Sequence, residues 1–403
     1  MTTRRDFLKQ ATGLSLSAVL PPHILSSQEW NECAGMEAIP PHSPAGAAGL
    51  FFGRYEGVDR DRVFQRMLHE TKILCRLGLA EDLQAAAELA QFAREEGIHF
   101  RLKASGCSSI LPYLLGFSDV DPLRHRLYFE RFRDPDARWA PPFVIEIDGQ
   151  HRERIRHLAN LGYGKDFIKR TIQFLPTMSL QRIPLLASKS IRHERDPAWQ
   201  LDTIPTRDET TFHLICRGDT EGLCVLHRGP LRDLLPRLQP RSIEDLAAAL
   251  TVHCLSVERE DLMDEYLARA ENPAFPGAEN PDILETLGET RGLILYQEQI
   301  MMLLDRLGGI APADGYEFVK AACKRKANAV AECQAGFLSG AIGRGIQPEA
   351  AGRLFEEVTR AAGYAFCKAN YVAKAMAVYQ TAYLKAHHRS EFERAWKAVR
   401  AGA

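Results

Sequence analysis

Between residues 58 and 94 apolar side chains recur at helical spacing, first Val63, Met67, Ile73, Leu74 and Leu77, then Leu83, Ala87, Leu89 and Phe92. This predicts helix as far as a stop at Gly97. Ser105 to Gly116 is a segment of small and apolar residues. At Phe143-Val144-Ile145-Glu146-Ile147-Asp148-Gly149 the composition turns β-branched and aromatic, bounded by Pro141-Pro142 and Gly149, and predicts a strand. Residues 150–200 read as short helices around Pro176 and Pro184. From Arg207 onward nearly everything predicts helix interrupted by Gly and Pro, over 241–252, 260–270, 290–307, 315–340, 348–362 and 371–399. In the last of these Val372, Met376, Tyr379 and Tyr383 form a stripe that reads as core rather than as a base-stacking platform. The fold class is α+β and mostly helical, with a mixed first half and an all-helical second half.

The first residues follow another pattern. Arg4-Arg5, the mildly apolar stretch from Ala11 to Leu20 and Pro21-Pro22 resemble a twin-arginine export leader over residues 1–27, although no clear A-x-A cleavage site follows. An amphipathic or disordered tail is the other reading of the same residues. Residues 28–57, rich in Pro, Gly, Ala and Ser, read as linker. Beyond residue 30 no apolar run reaches the roughly 20 residues of a membrane helix.

Composition excludes classes without selecting a function. The 403 residues carry 51 Lys+Arg against 52 Asp+Glu, and 45% are hydrophobic. This is ordinary globular material, neither disordered nor collagen-like. At a net charge of −1 the chain is no basic nucleic-acid coat, so any phosphate contact must come from a local cluster. The nine cysteines include no C-x-x-C pair and read mostly as buried thiols in a reducing setting.

Six collinear blocks carry a family resemblance. They are Leu114-Leu115-Gly116-Phe117-Ser118-Asp119 with Leu127-Tyr128-Phe129-Glu130, Arg217-Gly218-Asp219-Thr220-Glu221-Gly222, Arg228-Gly229-Pro230-Leu231-Arg232-Asp233-Leu234, Tyr296-Gln297-Glu298-Gln299-Ile300-Met301, Ala362-Gly363-Tyr364-Ala365-Phe366-Cys367-Lys368 and Val378-Tyr379-Gln380-Thr381-Ala382-Tyr383-Leu384-Lys385. In this order they resemble the alpha, catalytic subunit of bacterial DNA polymerase III. The resemblance implies a polymerase-like palm of nucleotidyltransferase type with a mixed β-sheet at 58–160, a small helical thumb remnant at 161–202 and partial helical fingers at 203–403. It covers neither the family's amino-terminal phosphoesterase-like domain nor its carboxy-terminal clamp-binding and nucleic-acid-binding modules. By this resemblance the chain would perform template-directed DNA synthesis in the cytoplasm, with primer-template DNA, deoxynucleoside triphosphates and other replication or repair proteins as partners. A working leader would place it in the periplasm instead.

Nucleotidyl transfer uses two Mg2+ (or Mn2+) ions held by carboxylates on one strand face. The family supplies two of them from a Pro-Asp-Phe-Asp-x-Asp-Phe motif. Alignment back from Tyr163-Gly164-Lys165-Asp166 puts Val144 and Glu146 at the two aspartate positions, and a valine side chain has no oxygen to offer. Glu146 and Asp148, two residues apart on one face, are the replacement pair and the candidate catalytic and metal-binding residues. For the third acid only Asp196 and Asp202 lie nearby, outside the family context. Where the family has a Gly-Arg-Gly-Ser loop against phosphate, this chain reads Leu102-Lys103-Ala104-Ser105. Only the basic Lys103 and Ser105 remain as nucleotide contacts, without the close approach that glycines permit. The family's basic cluster for triphosphate and template matches Lys320, Lys324, Arg325 and Lys326 on a predicted helix, with Val319 and Cys323 departing from the pattern. Lys368 and Lys385 are further candidates of the same kind, while His387-His388 reads as surface rather than metal ligand. The degenerate acids favour a catalytically impaired chain or a non-catalytic DNA- or partner-binding paralogue over a working polymerase.

Overall fold

The computed structural model describes Tyr55 and residues 60–402, apart from 134–140, 177–178, 228, 258 and 272–273. The leader-like residues 1–27, and the linker except Tyr55, lie outside the described residues. The chain divides into two compact units, Met1–Lys189 and Ser190–Ala403. Among the described residues no helix is long and apolar enough to cross a membrane.

In the first unit the helical pattern from 58 to 94 becomes two helices, α1 (Arg60–Arg76) and α2 (Ala80–Glu95). The break is at Gly78, whose φ of +67° takes the left-handed conformation that glycine adopts without a Cβ clash. There follow β1 (Phe100–Lys103), α3 (Ile110–Leu114), β2 (Phe143–Ile147), α4 (Arg152–Tyr163), α5 (Lys165–Thr171), β3 (Ile172–Pro176) and α6 (Ile183–Glu194). The predicted strand is β2, the centre of a three-stranded sheet of order β1-β2-β3, antiparallel to β1 and parallel to β3. Neither outer strand is evident in the sequence. Two of the four β1 residues are charged, and Ile172–Pro176 lies where the prolines suggest short helices.

Alternation on β2 separates two faces. Phe143, Ile145 and Ile147 are fully buried, and the Phe143 ring meets Phe117 and Phe132 at 6.1 and 5.4 Å between centroids. Val144 and Glu146 point the other way. The loops that feed the sheet are tied by one buried carboxylate. Glu70 accepts hydrogen bonds from Ser109 Oγ at 2.5 Å and from Ile110 N at 2.9 Å, so it caps α3. Arg66 holds Glu70 at 2.6 Å and donates to the carbonyls of Ser108 and Leu127. Burial pushes the Glu70 carboxyl up, against the Arg66 charge and these hydrogen bonds.

The described part of the second unit is helical throughout. After the end of α6 it comprises α7 (Glu209–Cys216), α8 (Pro230–Leu238), α9 (Ile243–Leu255), α10 (Asp261–Glu271), α11 (Pro281–Leu287), α12 (Gln297–Gly308), α13 (Pro312–Cys323), α14 (Ala327–Gly343), α15 (Pro348–Ala362), α16 (Lys368–His387) and α17 (Arg389–Arg400). The stripe Val372, Met376 and Tyr379 of α16 is core, as its spacing predicts, whereas Tyr383 is half-buried. The predicted helix 315–340 is broken at Lys324–Lys326, and 371–399 is broken at His388. Residues 290–296 are the end of a 3-10 turn, a turn and irregular chain ending in a bridge at Tyr296, rather than the first turns of α12. Of the described cysteines, Cys107, Cys216 and Cys224 are buried and Cys254 and Cys323 are exposed.

Buried polar groups join segments distant in sequence. Phe366 donates its backbone N–H to Leu295 O and accepts from Gln297 N. Glu298, 1% exposed, accepts from the first backbone N–H groups of α16, Lys368 N at 2.7 Å and Ala369 N at 3.4 Å. Gln299 accepts from Leu295 N and Tyr296 N and donates to Thr290 Oγ1 at 2.7 Å. We predict that Glu298→Ala, which strands two helix-start donors in the interior, lowers the unfolding free energy by about 2–3 kcal/mol in urea titrations.

Candidate functional site

The polar face of the sheet gathers the candidate acids and the candidate Lys103, together with His99, Arg101 and Arg182, which sequence reasoning missed. In the β1–β2 register Arg101 lies opposite Glu146 and Lys103 opposite Val144. Lys103 therefore reaches diagonally to Glu146, Nζ to Oε2 at 3.0 Å. Arg101 turns instead to Asp119 at 2.9 Å. His99 Nε2 stands 3.5 Å from the same Glu146 oxygen. Asp148 is held by Arg182 Nε at 3.0 Å and accepts from Gln150 N at 3.2 Å.

Glu146 and Asp148 are each 7% exposed. Glu146 Oε2 faces both Lys103 Nζ at 3.0 Å and His99 Nε2 at 3.5 Å. Burial pushes the Glu146 carboxyl up, but the His99 ring and the Lys103 ammonium outweigh it and bring it down to about 2. Burial pushes His99 down, towards a neutral ring. The signal that could have revealed these partners is the spacing His99-x-Arg101-x-Lys103, three basic residues on one face of a four-residue strand and its entry.

Two divalent ions do not fit this donor set. Each acid already has a protein cation on it, and β3 presents Gln173 and Leu175 opposite Val144 and Glu146 rather than a third carboxylate. Among the described residues no group of three or more His, Cys, Asp or Glu side chains is placed to hold a metal. Asp196 and Asp202 lie beyond the first unit.

The loop after β1 opens in a left-handed backbone conformation. Ala104 has φ +55°, in the left-handed region that costs an L-residue about 1–2 kcal/mol. It opens a 3-10 turn, Ala104–Ser108, in which Ser105 is half-buried.

The basic cluster of the second unit lies where α13 turns into α14. Lys320 is on α13, pairs with Glu317 and lies 4.8 Å over the Tyr316 ring. Lys324, Arg325 and Lys326 are not helical as predicted. Arg325 has φ +53°, and Arg325 N and Lys326 N bond back to Ala322 O and Ala321 O, closing the helix end. All three side chains are exposed. Lys320, Lys324 and Lys326 border a cavity of about 600 Å³ that Asp314, Glu317 and Glu332 also line.

Lys368 and Lys385 lie inside the fold. Lys368 is 3% exposed with Nζ 2.6 Å from Glu289. Lys385 Nζ binds Asp219 Oδ1 at 2.6 Å and the carbonyls of Asp219 and Glu221 at 3.0 and 2.9 Å. His387 Nε2 lies 2.8 Å from Asp208, which itself caps α7.

Two family models match this chain in succession. Bacterial DNA polymerase III alpha NTPase domain matches residues 50–181, and bacterial DNA polymerase III alpha subunit finger domain matches residues 183–345. Among similar proteins, DNA polymerase III subunit alpha of Mycobacterium tuberculosis is 24% identical over 84% of this chain and 40% of its own length. The subunits of the same name from Aquifex aeolicus and Halalkalibacterium halodurans are 33% and 30% identical, over 47% and 55% of this chain and 16% and 20% of their own lengths. The chain resembles this alpha subunit over part of it, spanning about two fifths or less of these relatives.

Two predictions follow from the sheet face and its loop. Ala104→Gly relieves the left-handed strain and raises stability by about 1 kcal/mol in denaturant titration. Lys103→Met leaves Glu146 buried without its countercharge and costs about 3 kcal/mol at pH 7. Because the folded carboxyl titrates near 2, below its ordinary value of 4.5, its stabilisation is complete above pH 4.5 and lost as pH falls towards 2. The Lys103→Met deficit, followed by urea titration from pH 7 to pH 3, therefore shrinks below pH 4.5.

Proposed function

We propose that this chain, which over part of its length resembles the alpha subunit of bacterial DNA polymerase III, contacts DNA through its finger-like second unit and is impaired in metal-dependent nucleotidyl transfer. In this reading residues 58–160 are a palm-like domain, 161–202 a thumb remnant and 203–403 partial fingers. The observation that carries the reading is the turn Lys324-Arg325-Lys326, whose three basic side chains are exposed and whose Lys324 and Lys326 border the cavity together with Lys320. Their position within the finger-domain match supports it. Three acids share the cavity walls, so phosphate contact belongs to the exposed turn rather than to the cavity floor.

Primer-template DNA is the proposed partner, with nucleoside triphosphates and other replication or repair proteins following from the resemblance, in the cytoplasm. Lys368 and Lys385 are assigned to holding the unit together, since a buried ammonium on a carboxylate is not presented to phosphate. Mg2+ or Mn2+ would serve catalysis in relatives. Here the pairing of both acids with Lys103 and Arg182 supports impairment.

Fluorescence anisotropy with a labelled primer-template between 50 and 200 mM salt tests the reading. Replacing Lys320, Lys324 and Lys326 by Gln is expected to weaken binding at least about tenfold and to flatten the salt slope by about one unit per contacting lysine. Equal affinity of the variant, or binding indifferent to salt, would sink the proposal.

A further inference from the structure

We infer that the sheet face of the first unit is a carboxylate site closed by its own cations: Lys103 and Arg182 occupy the positions of divalent ions on Glu146 and Asp148, and their removal opens a divalent-cation site. The inference deepens the impairment part of the proposed function and does not depend on DNA binding.

The charges on this face balance in three pairs. Arg101 meets Asp119 at 2.9 Å, Lys103 meets Glu146 at 3.0 Å and Arg182 meets Asp148 at 3.0 Å. The two central pairs are largely buried, with side-chain exposures of 10% and 9% for Lys103 and Glu146 and 18% and 10% for Arg182 and Asp148. A magnesium ion binds oxygen at about 2.1 Å and demands an octahedral shell. An ion on Glu146 Oε2 would therefore sit within roughly 5 Å of the Lys103 ammonium. It would meet a positive charge in a site from which water is largely excluded, where like charges are poorly screened. An ion on Asp148 Oδ2 faces the same conflict with Arg182.

The acids nevertheless keep the scaffold of a metal site. They stand two residues apart at the end of one strand, and β2 fixes Glu146 by pairing on both sides. Glu146 and Asp148 thus supply carboxylate oxygens once the two cations are gone, with water to complete the shell.

The test is isothermal titration of MnCl2 into the full chain and into the Lys103→Met/Arg182→Gln variant, without DNA or nucleotide. The variant is expected to bind one Mn2+ at least about tenfold more tightly than the unmodified protein, and adding Glu146→Gln should abolish the gain. A folded variant that gains no Mn2+ site, or an unmodified protein that binds Mn2+ as tightly through Glu146, overturns the inference. Should the double variant not fold, methyl NMR of the unmodified protein decides. Signals of Ile145 and Ile147, which flank Glu146, are expected to stay sharp as Mn2+ is added, and their selective broadening overturns the inference. A failure of this kind leaves the lysine and salt dependence of DNA binding untouched, so the two readings fail separately.

Discussion

A charge taken out of water must meet a countercharge or a set of hydrogen-bond donors, and in both units that requirement fixes where distant segments lie. Glu70 with Arg66 draws the loop before α3 and the loop near Leu127 onto α1. Lys368 with Glu289 and Lys385 with Asp219 do the same for the long helix α16. Breaking any one of these pairs leaves an uncompensated buried charge, which costs far more than an exposed pair contributes. On the sheet face the same requirement sets Lys103 on Glu146 and Arg182 on Asp148, and the candidate chemistry turns on those two contacts.

The collinear sequence blocks acquire a physical meaning in this light. Tyr296-Gln297-Glu298-Gln299 and Phe366-Cys367-Lys368 meet through a backbone bridge and the Glu298 cap on α16. Arg217-Gly218-Asp219-Thr220-Glu221 meets Lys385 of the last block through three contacts at 2.6 to 3.0 Å. The residues that carry the resemblance in the second unit are largely those that staple its helices. They report on architecture more than on chemistry.

Strong periodicity made much of this fold legible. The central strand, the core stripe Val372, Met376 and Tyr379, and the helix Pro348–Ala362 stand in the sequence with nearly their final bounds. Short elements whose form depends on neighbours did not. Phe100–Lys103 is a strand because β2 pairs with it, and the helix 315–340 divides because Arg325 takes a left-handed turn. The acids Glu146 and Asp148 were visible from their spacing, but their partners were not. Arg182 reaches Asp148 only through the fold, and Lys103 reads as a phosphate contact until the register sets it diagonally across from Glu146. The αL backbone of Ala104 was equally hidden, since nothing local to Lys103-Ala104-Ser105 announces it.

The first unit therefore carries a charge-balanced sheet face and the second an exposed basic turn. We propose that the acids of the sheet face, in the first unit, are engaged by the protein's own cations and do not support nucleotidyl transfer. Primer extension by the purified chain in Mg2+ and in Mn2+, beside the Glu146→Gln/Asp148→Asn variant, tests it most directly. Neither folded protein is expected to extend the primer; extension by the unmodified chain that the variant lacks would contradict this.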